Sequence, residues 1–383
     1  MITICHIITT LEIGGAQMML CKLLEATDRQ QFSHFVVCLG DEEPMAPRIR
    51  ALGFPVHCLG LPRSSLAGGM GLVALVRLLR QKQPSVVQTW MHHADLLGGI
   101  AARAAGIRRV LWGIHHSNFD PAVTKTRTVL VARACGILSS FVPSKIVCCS
   151  EASRVSHAAL RYDTRKMVVV PNGFDLTAFE PCPEARASVL QELELPADAV
   201  LIGLFARYHG MKDHRTFVSA ASMLARRHRD PHFILCGKGV DWSNAQLRSW
   251  IEDEGIQDRC RLLGCREDMP RITAALDIAT SCSSSGEAFS TTMGEAMSAG
   301  VACVTTDVGD SAAIVGDTGI VIASRDPSAL CNAWWSLIER GQIYRRELGS
   351  KARARIQGQF SLPLMTAKYQ GLYRSCSDAV IEQ

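Results

Sequence analysis

Short, mostly apolar runs alternate along the first half of the chain with longer segments whose apolar positions recur every three or four residues. The runs predict strands at residues 2–9, 35–40, 56–61, 86–90, 110–115, 146–150 and 167–170. The longer segments predict helices at 16–26, 72–82, 94–105 and 151–160. Strands apolar on both faces and separated by helical crossovers imply a parallel sheet covered on both sides. The alternation pauses after PNGFDLTAFEPCP, where prolines, polar residues and a short charged helix at 185–194 read as a linker. It resumes in VLIGLFARY, HFILCGKG, RLLGC, DIATSCSS, ACVTTDVG and GIVIA.

The expected organisation is α/β: a first Rossmann-like domain at 1–175, a linker at 176–198, a second Rossmann-like domain at 199–360 and a final segment at 361–383. That last segment carries a helix at 362–373 with Tyr369 and Tyr373 on one face. Doubly wound sheets bind ligands in crevices beyond the C-terminal ends of their strands. Two in tandem lead us to expect a cleft between facing domains, each contributing one substrate.

Composition narrows the class. At 383 residues and 48% apolar, the chain can build two ordinary cores. The longest apolar run, 129–147, is interrupted by Arg133, Pro143 and Lys145 and reads as too broken to cross a bilayer. The opening MITICHIITT lacks a basic n-region and a cleavage site, so the expected location is cytoplasmic. Fifteen cysteines, spread singly without zinc or redox spacing, read as reduced core thiols.

Charge is uneven. Residues 1–173 hold 19 Lys and Arg against 10 Asp and Glu, whereas the remainder holds 22 against 26. A basic half suits an acidic partner. Nucleic acid is disfavoured, because no recognition helix or aromatic platform is visible. The segment GGMGLVALVRLLRQKQ is either a basic amphipathic helix in peripheral contact with an anionic membrane or a surface helix with its apolar face on the sheet. The second reading is the plainer one, and a phosphorylated acceptor is the third candidate partner.

The chemistry is concentrated in TSCSSSGEAFSTTMGEAMSAG, residues 280–300. A Ser- and Gly-rich turn runs through Glu287, Ala288, Phe289 and Ser290 into a helix that starts near Thr291, carries Glu295 and stops at Gly300. Two carboxylates thus frame a row of unpaired backbone N–H groups suited to a diphosphate, with the carboxylates left to accept hydroxyl hydrogen bonds. A diphosphate joined to something rich in hydroxyls is a nucleotide sugar. The plain alternative, acids that cap or solvate a helix, fits the spacing alone. Arg207 and Lys212 stand just beyond the strand in VLIGLFA, where two fixed cations can neutralise a leaving diphosphate. The chain has no Asp-x-Asp motif, which fits cations in place of a divalent metal.

Gly14 and Gly15 open a helix after the first strand, where backbone can approach a ligand closely, although a simple tight turn has the same sequence. Without a G-x-G-x-x-G run, a dinucleotide dehydrogenase is disfavoured. His92 with His93, and His115 with His116, follow strands and would face the cleft, as ligands to a sugar or as ordinary helix-capping histidines. Adjacent histidines point in different directions, so zinc is not expected. Asn172 and Gly173 mark a turn between domains, and Gly237 and Gly239 another strand-end loop that borders a base or is turn chemistry alone.

Glu287 and Glu295 with the following AMSAGVACVTTDVGDSAAIVGDTGIVI resemble the donor-site signature of the large retaining glycosyltransferase family 4 of the GT-B fold. The resemblance runs from Gly14-Gly15 to the C-terminal helix and is specific for the family, not for a sugar. It implies a retaining, metal-independent transfer of a hexosyl or N-acetylhexosaminyl group from a nucleotide diphosphate sugar, with no other cofactor. Glu287 would hold the sugar hydroxyls, Glu295 the ribose, Arg207 and Lys212 the diphosphate, and His115 would meet the reacting sugar. Gly15, Gly237, Ala288, Phe289, Ser290 and Thr291 fall on the donor side. Gly14, His92, His93, His116 and Asn172 fall on the side of a glycan or lipid-linked acceptor, which fits work at the cytoplasmic face of a membrane. The last helix is expected to return to the first domain.

Ala206, Ala288 and Ser290 stand where the family commonly has Gly, or at Ser290 Gly or Pro, so the donor loop is altered here. An epimerase or phosphorylase on the same architecture, or a binding protein without turnover, are the rival readings.

Overall fold

A computed structural model describes residues 1–61, 69–119 and 124–378. Gly68, which opens the amphipathic segment, and residues 379–383 of the final segment lie outside these. The chain divides into two compact units, Met1–Gly173 with the segment from Leu362 onward, and Phe174–Ser361.

Unit 1 runs β1 (Ile2–Ile8), α1 (Gly15–Glu25), β2 (Phe32–Cys38), α2 (Met45–Ala51), β3 (Val56–Cys58), α3 (Gly69–Lys82), β4 (Val86–Trp90), α4 (His92–Ala104), β5 (Val110–Ile114), α5 (Thr126–Leu138), β6 (Lys145–Cys148), α6 (Glu151–Ala159) and β7 (Met167–Val169). Its seven strands are parallel in the order β3-β2-β1-β4-β5-β6-β7. One face is packed by α1 and α2 through residues such as Leu20, Leu24 and Ile49, and the other by α3, α4 and α5 through Leu75, Leu79, Ala101 and Cys135. The sequence pattern misses α2, a short helix containing Pro47, and α5, which reads only as a broken apolar run. Strand β2 starts at Phe32, ahead of the expected residue 35, because its polar His34 is buried on partners of its own. His34 Nδ1 meets His6 Nε2 at 2.8 Å, and its Nε2 meets Thr27 Oγ1 at 2.9 Å.

Unit 2 runs α7 (Pro183–Glu192), β8 (Val200–Phe205), α8 (His214–Ala225), β9 (Pro231–Cys236), α9 (Ala245–Asp253), β10 (Cys260–Leu262), α10 (Met269–Ala274), β11 (Ile278–Ser281), α11 (Thr291–Ser298), β12 (Ala302–Thr306), α12 (Ser311–Val315), β13 (Ile320–Ile322), α13 (Pro327–Glu339) and α14 (Gly341–Gln359). Its six strands are parallel in the order β10-β9-β8-β11-β12-β13. Phe217, Phe233 and Trp334 form the aromatic centre of its core, and the Trp334 indole N–H donates to Thr280 Oγ1 at 2.9 Å, which satisfies the one polar atom that burial would strand. Residues 176–198 lie in this unit, where Arg271 pairs with Glu192 at the end of α7.

The chain leaves unit 1 at Gly173 and re-enters it at Leu362, and these two points lie side by side. Phe174 N–H donates to Phe360 O at 2.8 Å, and Phe174 bridges Ser361. Helix α15 (Leu362–Asp378) then packs in unit 1, with Tyr369 stacked on Trp90 and the Tyr373 hydroxyl donating to Gln88 Oε1. All fifteen cysteines are free, and burial pushes the Cys148 and Cys303 thiols up to about 12, leaving them inert at neutral pH. Among the described residues no helix is long and apolar enough to cross a membrane.

In each unit the strand order reverses once, between β1 and β4 in unit 1 and between β8 and β11 in unit 2. At such a switch point the loops leaving two neighbouring strands part to opposite faces and open a crevice.

Candidate functional site

In unit 2 the switch point lies beneath the loops after β8 and β11, and these carry most of the charged candidates. The loop after β8 holds Arg207 and then a single 3-10 turn, Gly210–Lys212, capped by the His209 side chain. Asp213, held in the left-handed conformation at φ 49°, ends that turn and caps α8 by accepting from Thr216 N–H. This tight sequence of caps fixes where the Lys212 stem begins.

The loop after β11 carries Glu287. Its carboxylate pairs with Lys212 Nζ and accepts from Ser283 Oγ at 2.9 Å. Ser283 is placed in turn by the Thr306 hydroxyl of β12, which donates to its carbonyl at 2.7 Å. The two loops are also joined by backbone, Ser284 N–H to Met211 O at 2.8 Å. Lys212 and Glu287 are each largely buried, with 24% and 11% of the side chain exposed, so the pair stands where solvent screens it weakly.

Arg207 is exposed and has no hydrogen bond or ion pair among the described residues. The His209 imidazole is held below its usual range, first by partial burial and then by the charges of Arg207 and Lys212. Two cations and a neutral imidazole therefore share one strand-end loop. The N-terminus of α11 follows Glu287 closely. Ser290 is its cap residue but contributes no side-chain bond, and the first intrahelical donor is Gly294 N–H, to Ser290 O at 3.3 Å. The amides of Thr291, Thr292 and Met293 are thus left to an outside acceptor, with the positive end of the helix dipole behind them.

Backbone shape holds this loop against its neighbours. Gly309 sits at φ +60°, and a Cβ there would fall 1.6 Å from the Glu287 carbonyl oxygen. Gly237, at φ +149°, would place a Cβ 2.3 Å from the Ala206 carbonyl and 2.9 Å from Arg207 N. Both glycines allow a second chain to lie directly on the charged loops. The Phe289 side chain turns inward, stacked at 5.7 Å on Phe174, so only its backbone is available to a ligand. Ala288 and Glu295 are half-buried.

The unit 1 candidates lie on the loops after β1 and β4 at its own switch point, after the neighbouring β5 and, for Asn172, after the edge strand β7. Gly14 caps α1 in extended backbone, and Gly15 has open space where a side chain would stand. His115 lies flat on Trp90, ring centroids 5.0 Å apart, and burial pulls its pKa down to about 4. Its Nε2 is buried without a hydrogen-bond partner. The imidazole is thus neutral at physiological pH and can donate or accept, according to tautomer, toward a hydroxyl.

His92 does not face outward. It is 5% exposed, and its Nε2 meets His157 Nε2 at 2.8 Å while His157 Nδ1 donates to Ser153 O at 2.8 Å. That last bond makes His157 Nε2 an acceptor, so His92 donates and the pair is neutral, as the fall of the His157 pKa to about 3 by burial requires. His92 therefore joins α4 to α6. His116 packs edge-on against His92 and Phe119, its Nε2 buried and unpartnered, and His93 is half-buried. Asn172 is buried beside Gly173. Among the described residues no three His, Cys, Asp or Glu side chains are grouped as ligands for a metal.

Within unit 2, Arg207, Lys212, Gly237, Glu287 and the α11 N-terminus are gathered at one strand-end face. Sequence reasoning missed Ser283, Thr306, Gly309 and His209, which position the charged groups. The only trace of these in the pattern was the Gly in TTDVGD, a turn residue after a strand.

Residues 13–178 match the model of Glycosyltransferase Family 4, and residues 199–340 match Glycosyl transferases group 1. The UDP-Gal:alpha-D-GlcNAc-diphosphoundecaprenol alpha-1,3-galactosyltransferase of Escherichia coli is 25% identical over 342 residues, 87% of each chain. The phosphatidyl-myo-inositol mannosyltransferase of Mycolicibacterium smegmatis is 24% identical over 274 residues, 70% of this chain and 66% of that one. Among solved structures, Anabaena HepE in complex with UDP-glucose superimposes with a TM-score of 0.85 at 20% identity, covering 98% of this chain and all of that one. Sucrose-phosphate synthase from Thermosynechococcus elongatus gives 0.80 at 17% identity, over 98% and 100% of the two chains.

Proposed function

We propose, from the premise that this chain is a glycosyltransferase of the GT-B type with a Glycosyltransferase Family 4 domain followed by a Glycosyl transferases group 1 domain, that it is a retaining enzyme whose donor site is the charged face of unit 2. The donor is a nucleotide diphosphate hexose, with a uridine diphosphate hexose first, since the Escherichia coli relative is named for UDP-Gal and HepE was captured with UDP-glucose. The acceptor is a growing glycan, free or carried on a lipid diphosphate.

The observation that carries this reading is the Lys212–Glu287 pair beside the uncommitted Arg207 and the open amides of α11. A leaving nucleoside diphosphate gains negative charge as the glycosidic bond breaks. Arg207, Lys212 and the Thr291–Met293 amides stabilise that charge directly, so no divalent cation is required. Glu287, held by Ser283 and Lys212, accepts from the sugar hydroxyls and fixes the anomeric carbon, and Glu295 takes the ribose. His115, neutral and with a buried unpartnered nitrogen, hydrogen-bonds the reacting sugar, while Gly14, His93, His116 and Asn172 border the acceptor.

Purified protein should release UDP from a UDP-hexose in an acceptor-dependent way with excess EDTA present. The anomeric configuration of the product, read by proton NMR, should match the donor. Replacing Glu287 by Ala or Lys212 by Ala should lower kcat/KM by roughly 100-fold or more. Equal activity in both variants, an EDTA-abolished reaction, or an inverted product would each refute part of the reading. Isomerised donor without acceptor would mark an epimerase instead.

A further inference from the structure

A line of polar side chains crosses the apolar core of unit 1, on the face packed by α1, α2 and α15. Trp90, at the end of β4, donates its indole N–H to His6 Nδ1 of β1 at 3.2 Å. His6 Nε2 meets His34 Nδ1 of β2 at 2.8 Å, and His34 Nε2 meets Thr27 Oγ1, just after α1, at 2.9 Å. All four residues are buried. The rings of Phe32, Phe54 and Tyr373 close around the two imidazoles, with centroids 5.9–6.4 Å away, so each ring nitrogen depends on the next link.

The chain has one direction. An indole N–H only donates, so Trp90 makes His6 Nδ1 an acceptor. The neutral His6 ring then carries its proton on Nε2 and donates to His34 Nδ1. By the same step the His34 proton lies on Nε2 and goes to the Thr27 hydroxyl. Burial holds both imidazoles below their usual range, which keeps them neutral as this order requires. Leucine or isoleucine at position 6 would fill the same core without needing a partner, and would strand the indole N–H. What the chain secures beyond packing is the rotation of that indole, whose edge is pinned at Nε1.

The face of the same indole carries His115, with 5.0 Å between ring centroids and 19° between planes. The His115 ring has no hydrogen bond among the described residues, its buried Nε2 included, so the plane in which it offers that nitrogen is set by Trp90. We propose that His6 is a positioning residue for His115: through the Trp90 indole it fixes the direction in which the free imidazole nitrogen meets the reacting sugar. His34 and Thr27 hold the His6 tautomer that this requires. The inference rests on the role given to His115 in the transfer reaction.

The two bonds of His6 are separable. Asparagine sets its Oδ1 near the place of Nδ1, so His6→Asn keeps the acceptor for Trp90 and drops the link to His34. Glutamine sets its amide nitrogen near the place of Nε2, so His6→Gln keeps the link to His34 and frees the indole. Each variant loses one buried hydrogen bond, and a purely structural role predicts equal losses. In the UDP-release assay His6→Gln should lower kcat about 10-fold with the donor KM within about twofold, whereas His6→Asn should keep kcat within about threefold. Trp90→Phe retains a ring beneath His115 without the N–H and should also lose about 10-fold, which keeps the test open if His6→Gln does not fold. Ring position is read without substrate in the full-length protein, from the His115 imidazole protons, assigned by their loss in His115→Gln and shifted upfield by the indole ring current. His6→Gln should move these signals, and His6→Asn should leave them in place.

Lost turnover in His115→Gln with full turnover in both His6→Gln and Trp90→Phe would overturn the positioning alone. Full turnover in His115→Gln would overturn the role of His115 instead, and the imidazole signals would then decide the positioning, against it if His6→Gln leaves them unmoved. Equal losses of kcat in His6→Asn and His6→Gln, in step with Tm, would reduce the chain to core packing and also overturn the proposal.

Discussion

At the scale of single residues, the proposed function turns on how Glu287 is held. Its carboxylate has two partners, Lys212 and Ser283, and its carbonyl oxygen lies against Gly309. Removing Lys212 takes away a cation and also frees the carboxylate, so the loss in turnover exceeds the loss of one charge. The variant should also lose stability, on the order of a few kcal/mol, because the Glu287 carboxylate is left largely buried without its cation. Gly309→Ala is the sharper test of position. The added methyl overlaps the Glu287 carbonyl, and φ +60° strains an alanine, so the loop must shift. We expect kcat/KM for the donor to fall about 10-fold or more while far-UV circular dichroism is unchanged. Unchanged kinetics would show that the loop absorbs the methyl without moving its carboxylate.

At the scale of the element, α11 is a short helix whose proposed role lies in its first turn. Thr291→Pro tests this with little disturbance, because proline is tolerated at the first helical position and deletes one N–H. Ser290, at ψ 98°, already has the extended backbone that a following proline favours. The affinity for UDP, measured by calorimetry, should drop several-fold to about 10-fold with the Tm changed little, as expected for one lost donor to a phosphate. A Tm collapse would instead show that the substitution broke the helix, and unaltered affinity would remove the α11 amides from the donor site. Helix α15 shows the opposite case, an element whose value is packing. Tyr369 on Trp90 and Tyr373 on Gln88 make it part of the floor under His115.

Across the whole molecule, buried neutral histidines set the response to acid, and they are unequally shared. Burial holds His34 and His115 in unit 1 at about 4 and His157 at about 3, with His6 and His92 also well below the usual range. In unit 2 the strongly lowered one is His214, at about 4. An unfolded imidazole titrates near 6.5, so between about pH 6.5 and 4 the unfolded chain binds protons that the folded chain refuses. Stability is therefore present above pH 6.5 and is lost as pH falls through that window, on the order of 1 kcal/mol per buried histidine at pH 5.5. Differential scanning calorimetry should show one transition moving down, and unit 1 melting ahead of unit 2, as pH is lowered from 7.5 to 5.5. A single cooperative transition would mean that the units do not unfold separately, and two transitions shifting equally would mean that the buried histidines of unit 1 do not set its acid response.

Periodicity alone determined that this chain alternates strand and helix through two α/β halves, and the composition of 280–300 with Arg207 and Lys212 marked the charged loops. These features are local: a strand buried on both faces must be apolar throughout, and a loop that meets a diphosphate must hold cations, small residues and a helix start. Tertiary structure decided what depends on segments far apart. It set the strand order, and with it the switch point between β8 and β11 that gathers those loops. It brought Ser283, Thr306 and Gly309 to Glu287, and it turned His92 inward onto His157 although the same strand-end position in sequence had suggested an outward one. It also left Leu130 and Ile137 of α5 exposed while Val131 and Leu138 pack on the core, and it set Gly136 against the Leu160 carbonyl at the end of α6, where a Cβ would fall 2.2 Å away. A side chain's direction is set by the neighbours that bury it, and those neighbours are chosen only when the chain is folded.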